Sequence, residues 1–172
     1  MDLLEYINSE IDKSNTVLAV FVDLRKAFDT INIPLLLEKL YKMGCCGVCY
    51  NLLKSYSENR KHFTAINEAK SSLKKLDIGI VQGSILGPIE YKLYIHSLKL
   101  SEIKCKYFMF ADDTVLVFSG KTKEDREYSV NNEVKTYCEC VCYNKLSLNV
   151  NKTDYMVIKQ KNNKMNDPYS YA

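Results

Sequence analysis

Two adjacent carboxylates, Asp112 and Asp113, interrupt an apolar and aromatic stretch that runs from Tyr107 to Phe118. A short connection between two β-prone runs is typical of a hairpin, yet Ala-Asp-Asp-Thr lacks the glycine that hairpin turns favour. Neighbouring like charges repel each other and resist burial, and a divalent cation would relieve both costs. Carboxylate oxygens of this kind suit Mg²⁺. The alternative interpretation is an acidic turn that is simply solvated.

A third carboxylate, Asp23, follows a continuous apolar and β-branched run at residues 16–22, which predicts a strand buried on both faces. If this strand lies beside the hairpin, Asp23 and Asp112 meet at one end of a sheet. Carboxylates placed in this way hold two metal ions in enzymes that displace a group in line at phosphorus. Because adjacent strand residues point to opposite faces, we expect Asp112 to be the direct partner of Asp23 and Asp113 to be more peripheral.

The elements that must position these carboxylates follow from hydrophobic periodicity and from turn residues. Helices are predicted over residues 3–11, 32–43, 48–56 and 123–144, and from Pro88 onward. Strands are predicted over residues 16–22, 60–67 with 73–80, either side of the Asp-Asp pair, 146–150 and 155–158. This order predicts an α+β fold, an antiparallel sheet with helices packed on one face, close to the split βαβ arrangement.

Composition and net charge limit the classes of protein to which the chain can belong. The 172 residues are 47% hydrophobic and 26% charged, which is typical of one globular domain or a large piece of one. A net charge of +3 permits a nucleic-acid partner but does not argue for one. The apolar runs are too short to predict a membrane span, and residues 1–10 lack the basic start of a signal peptide.

Seven cysteines, an odd number, favour reduced thiols over a disulfide framework. The predicted location is therefore intracellular, cytoplasmic or nuclear, and not secreted. The thiols form two clusters. A zinc site would need four ligands at set spacings, so we favour ordinary buried or half-buried cysteines. The clusters are Cys45, Cys46 and Cys49, and Cys138, Cys140 and Cys142.

Four stretches stand in order along the chain: residues 21–30, with Phe-Val-Asp-Leu and Ala-Phe-Asp; 81–88, with Gln-Gly-Ser; 110–113, Phe-Ala-Asp-Asp; and 144–153, with Leu-Ser-Leu-Asn. Together they resemble the successive palm motifs of reverse transcriptases, most closely those of jockey-like non-LTR retrotransposons. The resemblance spans about residues 3–158. It implies a palm-centred domain at 1–158, without the start of the fingers and without the thumb, and a polar C-terminal tail at 159–172.

The resemblance implies a role for the carboxylates and for one lysine. Asp23, Asp112 and Asp113 match the family's catalytic carboxylates, which hold two Mg²⁺ ions, with Mn²⁺ as a possible substitute. Lys152 matches a lysine that donates a proton to the leaving pyrophosphate. The alternative for Lys152 is an ordinary surface lysine.

The resemblance also implies a nucleotide-binding set. Phe28 matches the bulky residue under the sugar, which favours dNTP over a ribonucleotide; the alternative is a core aromatic residue. Gln82 and Gly83 match the loop that packs against the incoming nucleotide and the template. Arg25 and Lys26 lie beside the expected triphosphate, with plain solvated charge as the alternative. Asp29 is expected to be a cap or turn residue.

The sequence departs from the family pattern at three places. Val81 stands where proline is usual, His96-Ser97 where Asn-Asp is usual, and a tryptophan is replaced near Cys142. These changes leave the three carboxylates intact, and we expect weak or no activity from the isolated chain.

The predicted function is RNA-directed DNA polymerase, acting on an RNA template and a DNA primer with dNTP and with no membrane partner. One alternative is a catalytically decayed palm-fold remnant that binds nucleic acid or protein. Another is an unrelated α+β domain whose acidic turn binds a single structural cation. No oligomeric state is predicted.

Overall fold

A computed structural model describes residues 1–96 and 103–160 of the chain. The chain divides into two compact units. Unit 1 comprises Met1–Leu24, Lys99–Val141 and Ser147–Ala172, and unit 2 comprises Arg25–Leu98 and Cys142–Leu146. Most of the predicted tail, residues 161–172, lies outside the described residues, as do Ser97 and Leu98.

Five helices and eight strands follow one another along the described residues. The first half contains α1 (Leu3–Asp12), β1 (Thr16–Val22), α2 (Ile33–Lys42), α3 (Gly47–Ser57), β2 (Arg60–His62), β3 (Ala65–Ile66), β4 (Ala69–Lys70) and β5 (Lys74–Leu76). The second half contains α4 (Gly87–His96), β6 (Lys106–Phe110), β7 (Asp113–Gly120), α5 (Lys123–Tyr143), a short 3-10 helix (Val150–Lys152) and β8 (Asp154–Ile158). No helix among the described residues is both long enough and apolar enough to cross a bilayer.

A four-stranded antiparallel sheet in the order β6-β7-β1-β8 forms the centre of unit 1. On one face, Ile7 of α1 packs in a cluster with alternate residues of β1 and β7: Val17, Ala19, Val115 and Val117. On the opposite face, the Tyr137 hydroxyl of α5 donates a hydrogen bond of 3.0 Å to the hydroxyl of Thr114, and both side chains are buried. The α+β class is confirmed; helices cover both faces of the sheet, where the sequence led us to expect one.

Unit 2 is held together by buried side chains of α2 and α4. Asn32 caps α2 by accepting a hydrogen bond of 3.0 Å from the Leu35 amide. Lys39 is also buried, and its ammonium donates to the Tyr94 carbonyl at 2.9 Å and to the Asn144 side chain. It lies 3.9 Å from the centre of the Tyr94 ring. Burial disfavours the charged form and lowers the pKa of Lys39 to about 8.

One predicted strand is wrong, and one predicted hairpin is divided. Residues 146–150 make a single bridge, Leu24 to Leu148, before the chain turns into the 3-10 helix. The predicted hairpin of residues 60–67 and 73–80 becomes two short antiparallel pairs, β2 with β5 and β3 with β4. Between the pairs the Thr64 amide donates to the Ser71 hydroxyl at 2.9 Å. A side-chain oxygen therefore replaces a backbone carbonyl as the acceptor at the point where the strands are interrupted.

Leu116 lies in the middle of β7 and is fully buried, with 0% of its surface exposed. We expect Leu116→Ala to lower the free energy of unfolding by about 2–5 kcal/mol, because it removes buried methyl groups and leaves a cavity. Leu4→Ala is the matched control, since Leu4 is 70% exposed. Urea unfolding followed by circular dichroism measures both variants. Equal stability losses in the two variants would contradict this packing.

Candidate active site

Pairing of β1 with β7 brings two of the three carboxylates together. The register pairs Phe21 with Val115 and Val22 with Thr114. One step further along, Asp23 stands opposite Asp113, and residues opposite each other in an antiparallel pair point to the same face. Further along the two strands, α1 packs against this same face of the sheet.

The hairpin between β6 and β7 closes through a two-residue turn, Ala111-Asp112, with Phe110 paired to Asp113. Ala111 takes a φ of +55°, the left-handed value that favoured two-residue turns require at their first central position. The connection is therefore shorter than the sequence suggested, and Asp113 belongs to the strand. Asp113, rather than Asp112, shares a face with Asp23. The assignment of Asp112 as a direct metal ligand stays a prediction.

A pocket of about 430 Å³ lies at this end of the sheet. Asp23, Asp113 and Lys152 contribute charged groups to its lining. The walls are largely apolar and include Phe21, which is 37% exposed, and Phe110, which is 55% exposed. Three of the four predicted catalytic residues are thus brought together in unit 1, and the fourth, Asp112, lies in the adjoining turn.

Asn149 fixes the position of Asp23 with two hydrogen bonds. Its side-chain amide donates to Oδ2 of Asp23 at 2.7 Å, and its backbone amide donates to the Asp23 carbonyl at 2.9 Å. Asn149 is itself held, because its carbonyl accepts from the Lys152 amide at 2.9 Å and from the Thr153 hydroxyl at 3.1 Å. The sequence does not predict this contact, because residues 146–150 alternate as a strand does and an asparagine there carries no signal that separates it from a surface residue.

The electrostatics of the pocket suit a hard divalent cation. No lysine or arginine in the described ranges forms a salt bridge with Asp23, Asp112 or Asp113. Two carboxylates that face one pocket without such a partner repel each other, and oxygen ligands are those that Mg²⁺ and Mn²⁺ prefer. Within residues 1–96 and 103–160, no three His, Cys, Asp or Glu side chains are gathered into a complete metal-binding group. An ion held by the two carboxylates of this pocket would therefore need water or phosphate oxygens as its other ligands.

Phe28 belongs to unit 2, as do all five residues of the predicted nucleotide-binding set. Its ring is half-buried and stacks on Tyr91 of α4, with ring centres 4.4 Å apart and planes inclined by 18°. Tyr91 is 2% exposed, so it gives Phe28 a fixed support. Its spacing from Tyr94 and Ile95 places all three on one buried stripe of α4, a pattern that predicts packing but not a contact with Phe28.

Gln82 is exposed, and its side-chain amide donates to Oδ1 of Asp29 at 2.6 Å. Asp29 was expected to be a cap or turn residue. Its amide does close a turn on Lys26, at 2.9 Å, and its carboxylate also orients Gln82. Gly83 has a φ of +75°, a value that favours glycine, with open space where a side chain would begin.

Arg25 and Lys26 are exposed at the start of unit 2. Lys26 adopts a φ of +47°, an unusual value for a residue with a side chain. Its carbonyl accepts hydrogen bonds from the Asp29 and Thr30 amides, at 2.9 Å and 3.1 Å. These bonds make the segment a defined turn from which both basic side chains project into solvent.

Comparison with curated proteins identifies relatives over much of the chain. It is 30% identical over 128 residues to the probable RNA-directed DNA polymerase from transposon X-element of Drosophila melanogaster, covering 72% of this chain and 14% of the relative. It is 27% identical over 119 residues to the RNA-directed DNA polymerase from mobile element jockey of the same species, covering 65% and 13%. The chain therefore spans about a seventh of the length of these relatives.

Comparison with solved structures shows the fold. Telomerase from Candida tropicalis, in complex with the TWJ fragment of telomeric RNA, superimposes with a TM-score of 0.69 at 15% identity, covering 90% of this chain and 28% of that one. The corresponding complex from Candida albicans gives a TM-score of 0.53 at 15% identity, covering 95% and 31%.

The family model described as reverse transcriptase (RNA-dependent DNA polymerase) matches residues 3–168. This chain belongs to the reverse transcriptase family.

Proposed function

We propose that this chain supplies the catalytic carboxylates of an RNA-directed DNA polymerase of a retrotransposon, which transfers nucleotides from dNTPs to a primer 3′-OH on an RNA template. Reverse transcriptases as a family use divalent metal ions and act on a nucleic-acid template and primer. The observation that carries the proposal is the shared pocket of Asp23, Asp113 and Lys152 in a member of this family. Because the chain spans a small part of its relatives, the complete activity is proposed for a longer protein.

We propose Asp23, Asp112 and Asp113 as the ligands of two Mg²⁺ ions, with Mn²⁺ as a substitute. Ions bound there would lower the pKa of an attacking hydroxyl and offset the negative charge that develops at phosphorus. The hydrogen bond from Asn149 to Oδ2 of Asp23 restricts the rotamer of this carboxylate before an ion binds. The half-buried position of Asp23 reduces competition from bulk water.

Lys152 is proposed as the proton donor to pyrophosphate. It lines the same pocket as Asp23 and Asp113, and its backbone is tied to Asn149. An ammonium that lines this pocket can donate a hydrogen bond to a leaving group that carries negative charge.

The residues of unit 2 are proposed to bind and select the nucleotide. Phe28 is supported from below by Tyr91, so its ring resists displacement and can crowd a ribose 2′-OH. Gln82, oriented by Asp29, offers hydrogen bonds to the nucleotide, and the left-handed Gly83 keeps that loop free of a side chain. Arg25 and Lys26 offer exposed positive charge for a triphosphate.

Metal titration tests the ligand set. We expect Asp23→Asn and Asp113→Asn each to weaken Mn²⁺ binding by about tenfold or more, because each removes a charged oxygen ligand. Asp112→Asn shows whether the turn carboxylate contributes as well. Asp12→Asn is the matched control, since Asp12 is an exposed aspartate at the end of α1. Electron paramagnetic resonance of free Mn²⁺ measures the affinities.

Mn²⁺ binding that is unchanged by Asp23→Asn and Asp113→Asn would contradict this ligand set. A single ion lost only in Asp112→Asn would indicate a structural cation at the turn, which is the interpretation unrelated to polymerase chemistry.

The two hydrogen bonds from Asn149 generate a separate prediction. Asn149→Ala removes the side-chain bond to Asp23 and should weaken Mn²⁺ binding by about tenfold, as is typical when a partner of a metal ligand is lost. Asn151→Ala is the matched control, because Asn151 is exposed two residues further along. Equal Mn²⁺ affinities in the two folded variants would show that Asp23 does not depend on Asn149.

Primer extension tests the reaction itself. With RNA template, DNA primer, dNTP and Mg²⁺, and with protein in excess over primer, we expect weak extension or none from this chain, and any product should fall about a hundredfold in Asp23→Asn. Asp12→Asn should retain it. The products are resolved on denaturing gels.

Absence of any product both from this chain and from a longer protein that contains it, with normal Mn²⁺ binding, would favour the alternative of a decayed palm-fold remnant. Robust products that disappear in Asp112→Asn would overturn the expectation of weak activity and show that this chain needs no further domain.

A further inference from the structure

Three of the seven cysteines are gathered where α2 ends and α3 begins. The end of α2 is closed by two backbone hydrogen bonds of 3.0 Å, from Gly44 to the Tyr41 carbonyl and from Cys45 to the Leu40 carbonyl. Gly44 has a φ of +90°, which completes a Schellman motif. The backbone of Cys45 is therefore fixed as part of the cap of α2.

The next helix holds the second thiol. Cys46 occupies the position before α3 and makes no side-chain capping bond, and Cys49 lies in the first turn of that helix. The Cys45 thiol points to Cys49, and their sulfur atoms are 3.6 Å apart. Cys49 is exposed and Cys45 is partly exposed, so small molecules can reach both sulfurs.

The two thiols differ in their surroundings. Cys49 is the more exposed of the two and lies in the first turn of α3, where an incoming disulfide can reach its sulfur. Burial and the neighbouring Cys49 thiol raise the pKa of Cys45, so Cys45 remains a protonated hydrogen-bond donor to its partner. One sulfur is thus placed to attack and the other to follow.

We propose that Cys45 and Cys49 form a redox-sensitive dithiol that closes to an intramolecular disulfide by exchange with a small-molecule disulfide such as oxidised glutathione. The closed bond would join the cap of α2 to the first turn of α3. The proposal is independent of the polymerase function.

The exchange takes place in two steps. The Cys49 thiolate attacks one sulfur of oxidised glutathione, which forms a mixed disulfide and releases one glutathione thiolate. The Cys45 thiol loses its proton, attacks Sγ of Cys49, and releases the second glutathione. The protein loses two protons and two electrons, and one oxidised glutathione becomes two reduced ones. The sulfurs need to approach by about 1.5 Å to form the bond, a distance that side-chain rotation can supply.

Peptide mapping tests this pairing directly. Trypsin cleavage after Lys42 and Lys54 yields one peptide, residues 43–54, that contains Cys45, Cys46 and Cys49 and no other cysteine. After incubation of the folded chain with oxidised glutathione and alkylation of free thiols, we expect this peptide to carry one alkyl group. Fragmentation should locate that group at Cys46, with the peptide about 2 Da lighter for the bond between the other two sulfurs.

Three variants make the proposal falsifiable. Cys46→Ser should still form the bond. Cys45→Ser should stop at a stable glutathione adduct on Cys49, and Cys49→Ser should leave Cys45 largely unmodified. A wild-type peptide that keeps three alkyl groups across the full range of glutathione ratios, or a bond that includes Cys46, would overturn the proposal.

Discussion

The pairing of β1 with β7 is the constraint on which the proposed active site depends. Asp23 and Asp113 are far apart in sequence, and only the register of these two central strands places them opposite each other. Because side chains alternate between faces, a slip of one residue would send one carboxylate to the other side of the sheet. The register is fixed by burial on both faces, with Val17 and Ala19 under α1 and Thr114 bonded to Tyr137 of α5.

A second layer of contacts holds the functional side chains in place. Asn149 binds both the carboxylate and the carbonyl of Asp23, and Tyr91 supports Phe28 by ring stacking. The Asp29 carboxylate likewise orients Gln82 by accepting a hydrogen bond from its side-chain amide. In each case a neighbouring residue restricts the rotamer of a side chain that we propose to contact metal or nucleotide. This restriction reduces the entropic cost of ordering that side chain when the ligand binds.

The sequence predicted those parts of the fold that depend on local patterns. The apolar run of β1 predicted a buried strand, and Asn32 and Gly44 predicted both ends of α2. The predicted secondary structure was wrong where a side-chain hydrogen bond replaced a regular backbone hydrogen bond. Residues 146–150 alternate as a strand would, yet Asn149 bonds to Asp23 and turns the chain away. The positive φ of Ala111 has no sequence signal, so the two-residue turn and the placement of Asp113 beside Asp23 became visible only in the structure. The family resemblance, which rests on four ordered motifs, was confirmed.

An anomalous-diffraction map of crystals of the chain grown with Mn²⁺ shows directly whether the pairing of β1 with β7 builds a metal site. We predict an anomalous peak in the pocket between the carboxylates of Asp23 and Asp113, within coordination distance of at least one oxygen from each. A map in which Mn²⁺ contacts Asp112 or other surface carboxylates, but does not contact Asp23, would contradict this placement of the metal site.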